Sequence, residues 1–476
     1  MKQQQSRADE DRRFIRTGAC GVAALMCCVT ILATAAPTVY PTGTTIYDPE
    51  RAWNGYTVFI LPDQGAVVVD MNGNTLKHWD HFVGGSGGPV RVLPGGYAMG
   101  PGSIRSPHQE SNNLLQVDFD GNVVWSFDRS EQIETADGES FWSARQHHDW
   151  QREDIPVGYY SPEATPDSNN GRTLVLAHKN HINPEVSDRT LEDDRLIEVS
   201  WNGEILWDWL AADHVDGLGF SGDARETIRR SPNFSNGRGS TDWLHINSAT
   251  WLGPNRWYDA GDERFNPQNV IISSRQANIV AIVSRATGEI VWRIGPDYRA
   301  TEGERNIRQI IGQHHPHIIP KGLPGAGNVL LFDNGGTAGY GYADPNAPNG
   351  VNSVGRSSSR VLEFNPVTLE VVWSYSIAGR DAFRFFSHYV SAAQRLENGN
   401  TMITEGADGR LFEITPAGEI VWEYVNPYFD ETQPGPGLNM IYRAYRMPYH
   451  WIPQLEQPRE RRVVPPNLSE FRIAPE

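Results

Sequence analysis

The sequence is short of cysteine, of net positive charge and of helical periodicity. Its three cysteines, Cys20, Cys27 and Cys28, all lie within the first 35 residues. A chain that loses this segment therefore has no disulfide, no thiolate metal site and no cysteine nucleophile. The formal charge of −17 is not the basic footprint that nucleic acids require, so we exclude nucleic acid as a partner. No long stretch has apolar residues at 3.6-residue spacing, and we expect few, short helices.

The N-terminal segment has the pattern of an export signal. Arginines precede a run of apolar and small residues from Gly18 to Ala36, and Ala33-Thr34-Ala35 is a cleavage site of the A-x-A type. We predict a signal peptide over residues 1–35 and a periplasmic or secreted protein. The alternative is an uncleaved anchor, because the run approaches the length that spans a bilayer. The protein would then contact the membrane through this segment alone.

What the sequence does have is one phrase repeated six times: a tight turn, a short β run and a tryptophan. Two clear copies are Asp120-Gly121-Asn122-Val123-Val124-Trp125 and Ala417-Gly418-Glu419-Ile420-Val421-Trp422. Repeated hairpins with one aromatic residue per repeat are typical of β-propellers. The six repeats end at Trp79, Trp125, Trp207, Trp292, Trp373 and Trp422.

We therefore predict an all-β fold, a six-bladed β-propeller in which these six tryptophans occupy equivalent positions. The propeller domain extends over residues 36–453, and residues 454–476 form a C-terminal tail. The aromatic stretch Met440–Pro453 is predicted to complete the first blade, so that strands from both ends of the chain close the ring. The polar stretches 222–238 and 297–308 are predicted to be loops between blades. The alternative is a set of unrelated hairpins in a β-sandwich.

Histidines occur at similar places in four successive repeats. His148, His245, His315 and His388 lie where repeats three to six begin, each before a turn and a second strand. Because the first strand of a propeller blade lines the central channel, these imidazoles are predicted to point toward one axis. Convergent polar groups in a pocket are typical of an active centre. The alternative is that they bond to the backbone and fill the channel.

An ordered set of motifs resembles the bacterial arylsulfotransferase family. The resemblance covers most of the chain after residue 35. It implies a periplasmic six-bladed propeller that moves a sulfuryl group from one phenol to another without a nucleotide donor. The main motifs are Gly55-Tyr56-Thr57, His245-Ile246-Asn247-Ser248, Ile271-Ile272-Ser273-Ser274-Arg275, Gln313-His314, Phe332-Asp333-Asn334-Gly335 and Ser359-Arg360-Val361-Leu362-Glu363-Phe364.

The resemblance implies catalytic roles for His245, His314 and Arg360, which match the family's pocket histidines and arginine. Arginine and imidazolium donate hydrogen bonds to sulfuryl oxygens and stabilise charge as it builds. A histidine can also protonate the departing phenolate. The predicted substrate-binding residues are His148, Asn247, Arg275 and Arg410.

One position departs from the family pattern. The family's nucleophile is a histidine of the last blade, and Arg410 stands at that place in this sequence. Because a guanidinium cannot carry the sulfuryl group, we predict that His315 or His388 substitutes for it.

The resemblance implies no cofactor and a small aromatic molecule as the partner. The histidines leave two other functions open. One is a metal-dependent propeller lyase or oxygenase, with a transition metal on His148, His245, His315 and His388. The other is a propeller that binds a ligand without catalysis.

Overall fold

The protein is described by a computed structural model over residues 41–62, 65–84, 88–105, 109–134, 137–232, 241–336, 355–430 and 437–464. All of these belong to one compact unit, Ala35–Glu476. The predicted signal peptide, residues 1–35, and the last part of the predicted tail, residues 465–476, lie outside the described residues. No helix within the described ranges is both long enough and apolar enough to cross a bilayer.

The described residues are mostly strands, joined by a few short helices. The strands are β1 (Gly43–Tyr47), β2 (Tyr56–Ile60), β3 (Ala66–Val69), β4 (Thr75–Trp79), β5 (Arg91–Leu93), β6 (Tyr97–Arg105), β7 (Glu110–Val117), β8 (Val123–Phe127), β9 (Glu131–Glu134), β10 (Ser140–Ser143), β11 (Gln146–Arg152), β12 (Thr173–His181), β13 (Leu191–Val199), β14 (Ile205–Leu210), β15 (Ile246–Trp251), β16 (Val270–Ser274), β17 (Ile279–Val283), β18 (Ile290–Ile294), β19 (His314–Ile318), β20 (Val329–Asp333), β21 (Arg360–Phe364), β22 (Val371–Tyr375), β23 (Ala392–Arg395), β24 (Thr401–Glu405), β25 (Arg410–Ile414), β26 (Ile420–Val425) and β27 (Ala444–Met447). The α-helices are α1 (Gly222–Arg230), α2 (Arg256–Asp259) and α3 (Glu302–Ile307), and the 3-10 helices are Pro156–Gly158, Ala211–Leu218, Glu263–Phe265, Gly379–Arg384, Gly406–Asp408 and Tyr449–Trp451.

Antiparallel sheets of consecutive strands form an all-β propeller fold. Strands β15–β18, strands β19–β22, and β27 with β2–β4 form three four-stranded sheets, and β23–β26 with β1 form a five-stranded sheet. An eight-stranded sheet contains β5–β8 and β11–β14, joined by the single pair Gln146 and Ser111. The hairpin β9–β10 stands apart. Four sheets thus have four or five strands each, and the predicted count of six blades is not confirmed.

Two sheets combine strands from opposite ends of the chain. Strand β1 pairs with β26, with Tyr47 opposite Trp422. Strand β27 pairs with β2, with Thr57 opposite Arg446. The Arg446 guanidinium donates to the Thr57 hydroxyl at 2.7 Å across 389 positions of sequence. Beyond β27, Val463 exchanges two backbone hydrogen bonds with Tyr47, so the chain returns to the edge of β1.

Six tryptophans form hydrogen bonds between neighbouring groups of strands. Each indole N–H donates to a backbone carbonyl in the turn before another outer strand, at 2.8 to 3.2 Å. The donor and acceptor pairs are Trp79 with Asp118, Trp125 with Trp201, Trp209 with Gly288, Trp292 with Pro366, Trp373 with Pro416 and Trp422 with Met71. We call this set the tryptophan circuit, because its last acceptor lies in the first sheet.

The predicted equivalence of the repeat tryptophans is wrong in the first repeat and incomplete in the third. In the first repeat, Lys77 lies opposite Val68 at the register position that tryptophan holds elsewhere, and Trp79 lies two residues further along β4. In the third repeat Trp207 holds the register position, but Trp209 makes the hydrogen bond. Because strand side chains return to the same face every two residues, both offsets keep the indole on the required face.

Three neighbouring strands, β11, β15 and β19, contain many polar residues. Strands β11, β15 and β19 are buried along their whole length. Strand β11 packs against β15, and β15 packs against β19. Buried polar side chains are costly unless they are hydrogen-bonded, so such strands mark where a protein places a polar site. The sequences of the three strands are QHHDWQR, INSATW and HHPHI.

Candidate active site

Three histidines in or next to strands β11, β15 and β19 have a left-handed backbone conformation. The φ angles of His148, His245 and His315 are 53°, 50° and 53°. The strand register shifts at or next to each of these residues, and such a bulge re-aims the side chain. Left-handed conformations are uncommon outside glycine and cluster at functional sites. The fold therefore holds these three imidazoles in directions that a regular strand would not give them.

Four imidazoles, carried by β11, by β12 and by the residue before β15, form one buried cluster. The rings of His148 and His245 lie 4.6 Å apart and nearly perpendicular. The Nδ1 atoms of His148 and His147 are 2.9 Å apart. The ring of His147 stacks on that of His178 at 3.7 Å. We call His147, His148, His178 and His245 the histidine cluster.

Asp242 orients His245 within this cluster. Its carboxylate accepts from His245 Nδ1 at 2.5 Å and from the His245 backbone N–H at 3.0 Å. Although burial raises the pKa of Asp242, the charge of His245 and the hydrogen bond from it lower that pKa far below its usual range. With Nδ1 donating to Asp242, Nε2 of His245 is left to accept a proton or to attack an electrophile.

His314 is a neutral imidazole beside a buried cation. Its Nδ1 lies 2.8 Å from Asn334 Oδ1 and 3.1 Å from the Gly312 carbonyl. Both of these atoms are acceptors, so Nδ1 carries the hydrogen and Nε2 a lone pair. Burial, and then the charge of Arg275, lower the pKa of His314 well below its usual value. Within the described residues, Nε of Arg275 is buried and has no hydrogen-bond partner.

Electrostatic interactions join His314 to the histidine cluster. Burial and the charge of His245 lower the pKa of His148, and His314 contributes to the same shift. The charge of His245 also lowers the pKa of His314. The structure therefore brings together four of the predicted site residues: His148, His245, His314 and Arg275.

Two other predicted arginines have carboxylate partners. Arg360 donates to Asp333 at 2.6 Å, and its second nitrogen donates to backbone carbonyls. Arg410 is buried and pairs with Glu405 at 3.0 Å and with Glu423 at 2.6 Å. The charge of Arg410 is thus balanced by two carboxylates, whereas Arg360 shares Asp333 with Arg356. Both arginines have hydrogen-bond donors committed to these partners.

The remaining predicted site residues contact other aromatic rings or the backbone. The buried ring of His315 lies 4.5 Å from that of His317, and the ring of His388 lies 4.4 Å from that of Tyr389. Asn247 donates to the Gln313 carbonyl at 2.7 Å. Of the four predicted metal ligands, His148 and His245 are in ring contact with each other. His315 and His388 are in contact with other rings.

Asp149 fixes the strand that carries His148. Its carboxylate pairs with Arg91 at 2.7 Å and with Arg443 at 3.0 Å. It also accepts from the backbone N–H groups of Trp150 and Ala249. These partners come from β5, β11, β15 and the segment before β27. A carboxylate with four donors from four segments makes the scaffold of the site rigid.

The predicted site residues do not include four residues of this site: His147, His178, Asp194 and Asp242. Ligand atoms of His147, His178 and Asp194 lie within 4.8 Å of one another, and all three residues are buried. Two features of the sequence could have indicated the aspartates. Asp194 is a charged residue in the middle of a β run, and Asp242 stands three residues before His245.

A polar pocket has one wall residue, Asn180, that is linked to the histidine cluster through side-chain contacts. Its volume is about 420 Å³. Asn180 accepts from Arg145 at 2.9 Å, Arg145 pairs with Glu110 at 3.1 Å, and Glu110 lies 3.2 Å from His178. A chain of polar contacts thus runs from the pocket wall to the cluster. The pocket is lined by Gln132, Ile133, Glu134, Ser140 and Asn180.

Several solved structures show a weak likeness to this chain. A protein of unknown function from Bacteroides caccae is 12% identical, with 83% of this chain and 99% of that chain covered and a TM-score of 0.42. Apo AztD from Citrobacter koseri is 10% identical, with 83% and 98% covered and a TM-score of 0.34. Virginiamycin B lyase from Staphylococcus aureus is 11% identical, with 71% and 84% covered and a TM-score of 0.29. Scores this low carry no functional argument.

Comparison with protein families gives a clearer result. No curated protein matches the sequence. The family model described as Arylsulfotransferase (ASST) matches residues 103–432, which is more than half of the chain. The matched range contains His148, His245, Arg275 and His314. This chain therefore belongs to the arylsulfotransferase family.

Proposed function

We propose that this protein transfers a sulfuryl group from an aryl sulfate to a phenolic acceptor at a site formed by His148, His245, His314 and Arg275. The family match supports sulfuryl transfer in general. One observation carries the assignment of residues: His245, held by Asp242, contacts the ring of His148, and the backbone N–H of Arg275 donates to the His245 carbonyl at 3.3 Å.

His245 is the nucleophile in this proposal, in place of the predicted His315 or His388. Nε2 attacks the sulfur, and the bond from sulfur to the phenolic oxygen breaks, with its electron pair leaving on the phenolate. Asp242 stabilises the positive ring that results. The oxygen of the acceptor phenol then attacks the sulfur and returns the electron pair to Nε2. Its proton passes to Nε2 of His314 and from there to the departed phenolate.

Arg275 supplies the positive charge in this proposal, in place of Arg360. Charge builds on the sulfuryl and leaving oxygens during transfer, and a buried cation stabilises it more than an exposed one does. Nε of Arg275 is buried without a hydrogen-bond partner within the described residues, whereas Arg360 is held by Asp333, a carboxylate that it shares with Arg356. Loss of one such donor typically costs ~2.7–4 kcal/mol, or ~10²–10³ in rate.

The test is turnover of 4-nitrophenyl sulfate with a phenol as acceptor. We expect His245→Ala and Arg275→Ala each to lower kcat/KM by ~10²–10³, with Arg360→Ala as the matched arginine control and a smaller loss there. Donor alone should leave a sulfo group on His245, detectable by mass spectrometry of its peptide. Equal losses in the two arginine variants would contradict the assignment of Arg275. Failure of the wild type to turn over any aryl sulfate would favour the metal-dependent or binding alternatives.

We also propose that six blades close into a ring. The support is the tryptophan circuit, whose six steps begin and end in the sheet that contains β3 and β4. Division of the eight-stranded sheet at its single Gln146–Ser111 pair gives two groups of four strands. With the three four-stranded sheets and the five-stranded sheet, the total is six.

Export to the periplasm or to the exterior is part of the same proposal. Its support is the arginine-led run of small residues that ends at Ala33-Thr34-Ala35. We expect the exported protein to begin at Ala36, and N-terminal sequencing of the secreted or periplasmic fraction tests this. A chain that retains residues 1–35 in the membrane fraction would support the anchor instead.

A further inference from the structure

We propose that His147, His178 and Asp194 form a buried site for a divalent first-row transition metal such as zinc. The site adjoins the proposed catalytic residues but uses none of them. The inference rests on geometry and does not depend on sulfuryl transfer. The three ligand atoms lie within 4.8 Å of one another and are shielded from solvent.

Strand register and ring stacking bring the three side chains together. His178 on β12 and Asp194 on β13 are direct cross-strand partners. The rings of His147 and His178 are stacked at 3.7 Å with an angle of 16° between their planes, so one ring has to rotate before both can direct a lone pair at the same ion. Nε2 of His147 lies 3.3 Å from Asp194 Oδ1. Ligand atoms ~2.0–2.2 Å from a tetrahedral metal lie ~3.3–3.6 Å from each other, so this separation is within the range for two ligands of one ion.

The second nitrogen of each imidazole is engaged in the way that metal ligation requires. Nδ1 of His178 lies 3.2 Å from Glu110 Oε2, and Nδ1 of His147 lies 2.9 Å from Nδ1 of His148. Within the described residues, Nε2 of both rings is buried without a hydrogen bond of normal geometry. A histidine that ligates a metal commonly donates its other N–H to a carboxylate or another acceptor. Both Nε2 lone pairs are thus left for an ion.

The ligand set suits a cation. Asp194 is buried among the rings of this cluster. Arg145, which reaches the network through Glu110, is already paired with Glu110 and Glu131. Two imidazoles and a carboxylate form a ligand set that suits zinc and its neighbours in the first row.

An ion here would also fix the hydrogen bonding of a site histidine. Ligation through Nε2 of His147 leaves the hydrogen on its Nδ1, which then donates to Nδ1 of His148. His148 must in turn carry its own hydrogen on Nε2. The ion is therefore expected to position His148 as a hydrogen-bond donor.

The test is metal content of the purified chain after expression with zinc or with cobalt. We expect about one ion per chain to survive dialysis, and cobalt to give the visible spectrum of a low-symmetry site. His178→Gln and Asp194→Asn should lose at least ~10-fold in affinity, and Glu110→Gln should weaken binding by ~10–100-fold. The matched control is His181→Gln, because His181 ends the same strand and pairs with Asp213.

The outcomes are separable from those of the sulfotransferase assay. Wild-type protein that retains no metal would overturn the proposal, as would folded His178→Gln or Asp194→Asn that binds as tightly as wild type. If either variant fails to fold, X-ray absorption of the cobalt-loaded wild type decides, since imidazole ligation is required. Metal bound in a protein inactive toward aryl sulfates would contradict the proposed function and leave this site standing.

Discussion

At the scale of single residues, the site combines burial with backbone strain. The left-handed conformations of His148, His245 and His315 cost about 1–3 kcal/mol each. The surrounding hydrogen bonds, above all those of Asp242 and Asp149, have to offset that cost. Substitution of these histidines by alanine keeps the strain, whereas glycine relieves it. Alanine variants will therefore be less stable than glycine variants, and activity comparisons need both.

A second residue-scale consequence concerns pH. Burial and the charge of Glu405 raise the pKa of Asp408 to about 6. The unfolded carboxyl ionises at ~3.9, so between about pH 4 and pH 6 the unfolded state loses a proton that the folded state keeps. Stability should therefore fall across this range as pH rises. We expect Asp408→Asn to remove this pH-dependent loss of stability. The loss should amount to about 1–2 kcal/mol, since solvent screens part of the charge.

Urea denaturation at several pH values measures this difference. The control is Asp120→Asn, since Asp120 is an exposed residue in the turn before β8. The explanation would be wrong if Asp408→Asn and wild type kept a constant difference in the free energy of unfolding from pH 4 to pH 7.

At the scale of elements, the outer strands are joined to neighbouring turns by single hydrogen bonds. Trp422 is fully buried and donates to the Met71 carbonyl at 2.8 Å. Replacement by phenylalanine keeps an aromatic ring and removes the donor, which leaves the Met71 carbonyl with the Thr44 hydroxyl as its hydrogen-bond donor. We expect Trp422→Phe to lower the free energy of unfolding by about 0.5–1.5 kcal/mol through the lost hydrogen bond.

Chemical denaturation of Trp422→Phe beside Trp142→Phe tests the tryptophan circuit. Trp142 is 50% exposed and lies outside the circuit, so its replacement should change stability by no more than about 0.5 kcal/mol. Equal effects of the two substitutions would mean that the indole hydrogen bond contributes little.

Local sequence patterns predicted the strands and turns. The features that could not be predicted depend on contacts between residues far apart in the sequence. The turn, strand and tryptophan phrase predicted the propeller because each hairpin is specified within about ten residues. The helices within 222–238 and 297–308, predicted as loops, had readable starts. Ser221 caps α1, and Thr301 with Glu304 forms a capping box for α3.

The site was less predictable than the fold. Asp242 lies three residues from His245, so that pair is a local signal. The stacking of His147 on His178 and the register of His178 with Asp194 depend on three strands that meet in space. The ion pair of Arg360 with Asp333 is also a cross-strand contact. A motif match therefore identified the arginine without showing that it is paired with a carboxylate, which it shares with Arg356.

At the scale of the whole molecule, the first sheet depends on the end of the chain. Strand β27 covers the edge of β2, and Arg443 just before it holds Asp149. A chain that ends at Ile441 would expose the β2 edge and leave Asp149 with one arginine fewer. We expect such a chain to aggregate or to lose cooperative unfolding.

The matched control is a chain that ends at Val464, which keeps β27 and the hydrogen bonds of Val463 with Tyr47. Analytical ultracentrifugation and thermal denaturation of the two truncated chains distinguish the outcomes. A chain ending at Ile441 that stays monomeric and unfolds at the same temperature as the control would show that β27 is dispensable.

The pairing of Thr57 with Arg446 also determines how late in synthesis the first sheet can be completed. Their separation of 389 residues takes about 20 to 80 s to translate at ~5–20 residues per second. During that time β2 leaves the ribosome with β3 as a partner but with its other edge unpaired. Chaperones and translocation machinery that bind unfolded chains therefore have tens of seconds to engage this protein before its first sheet can be completed.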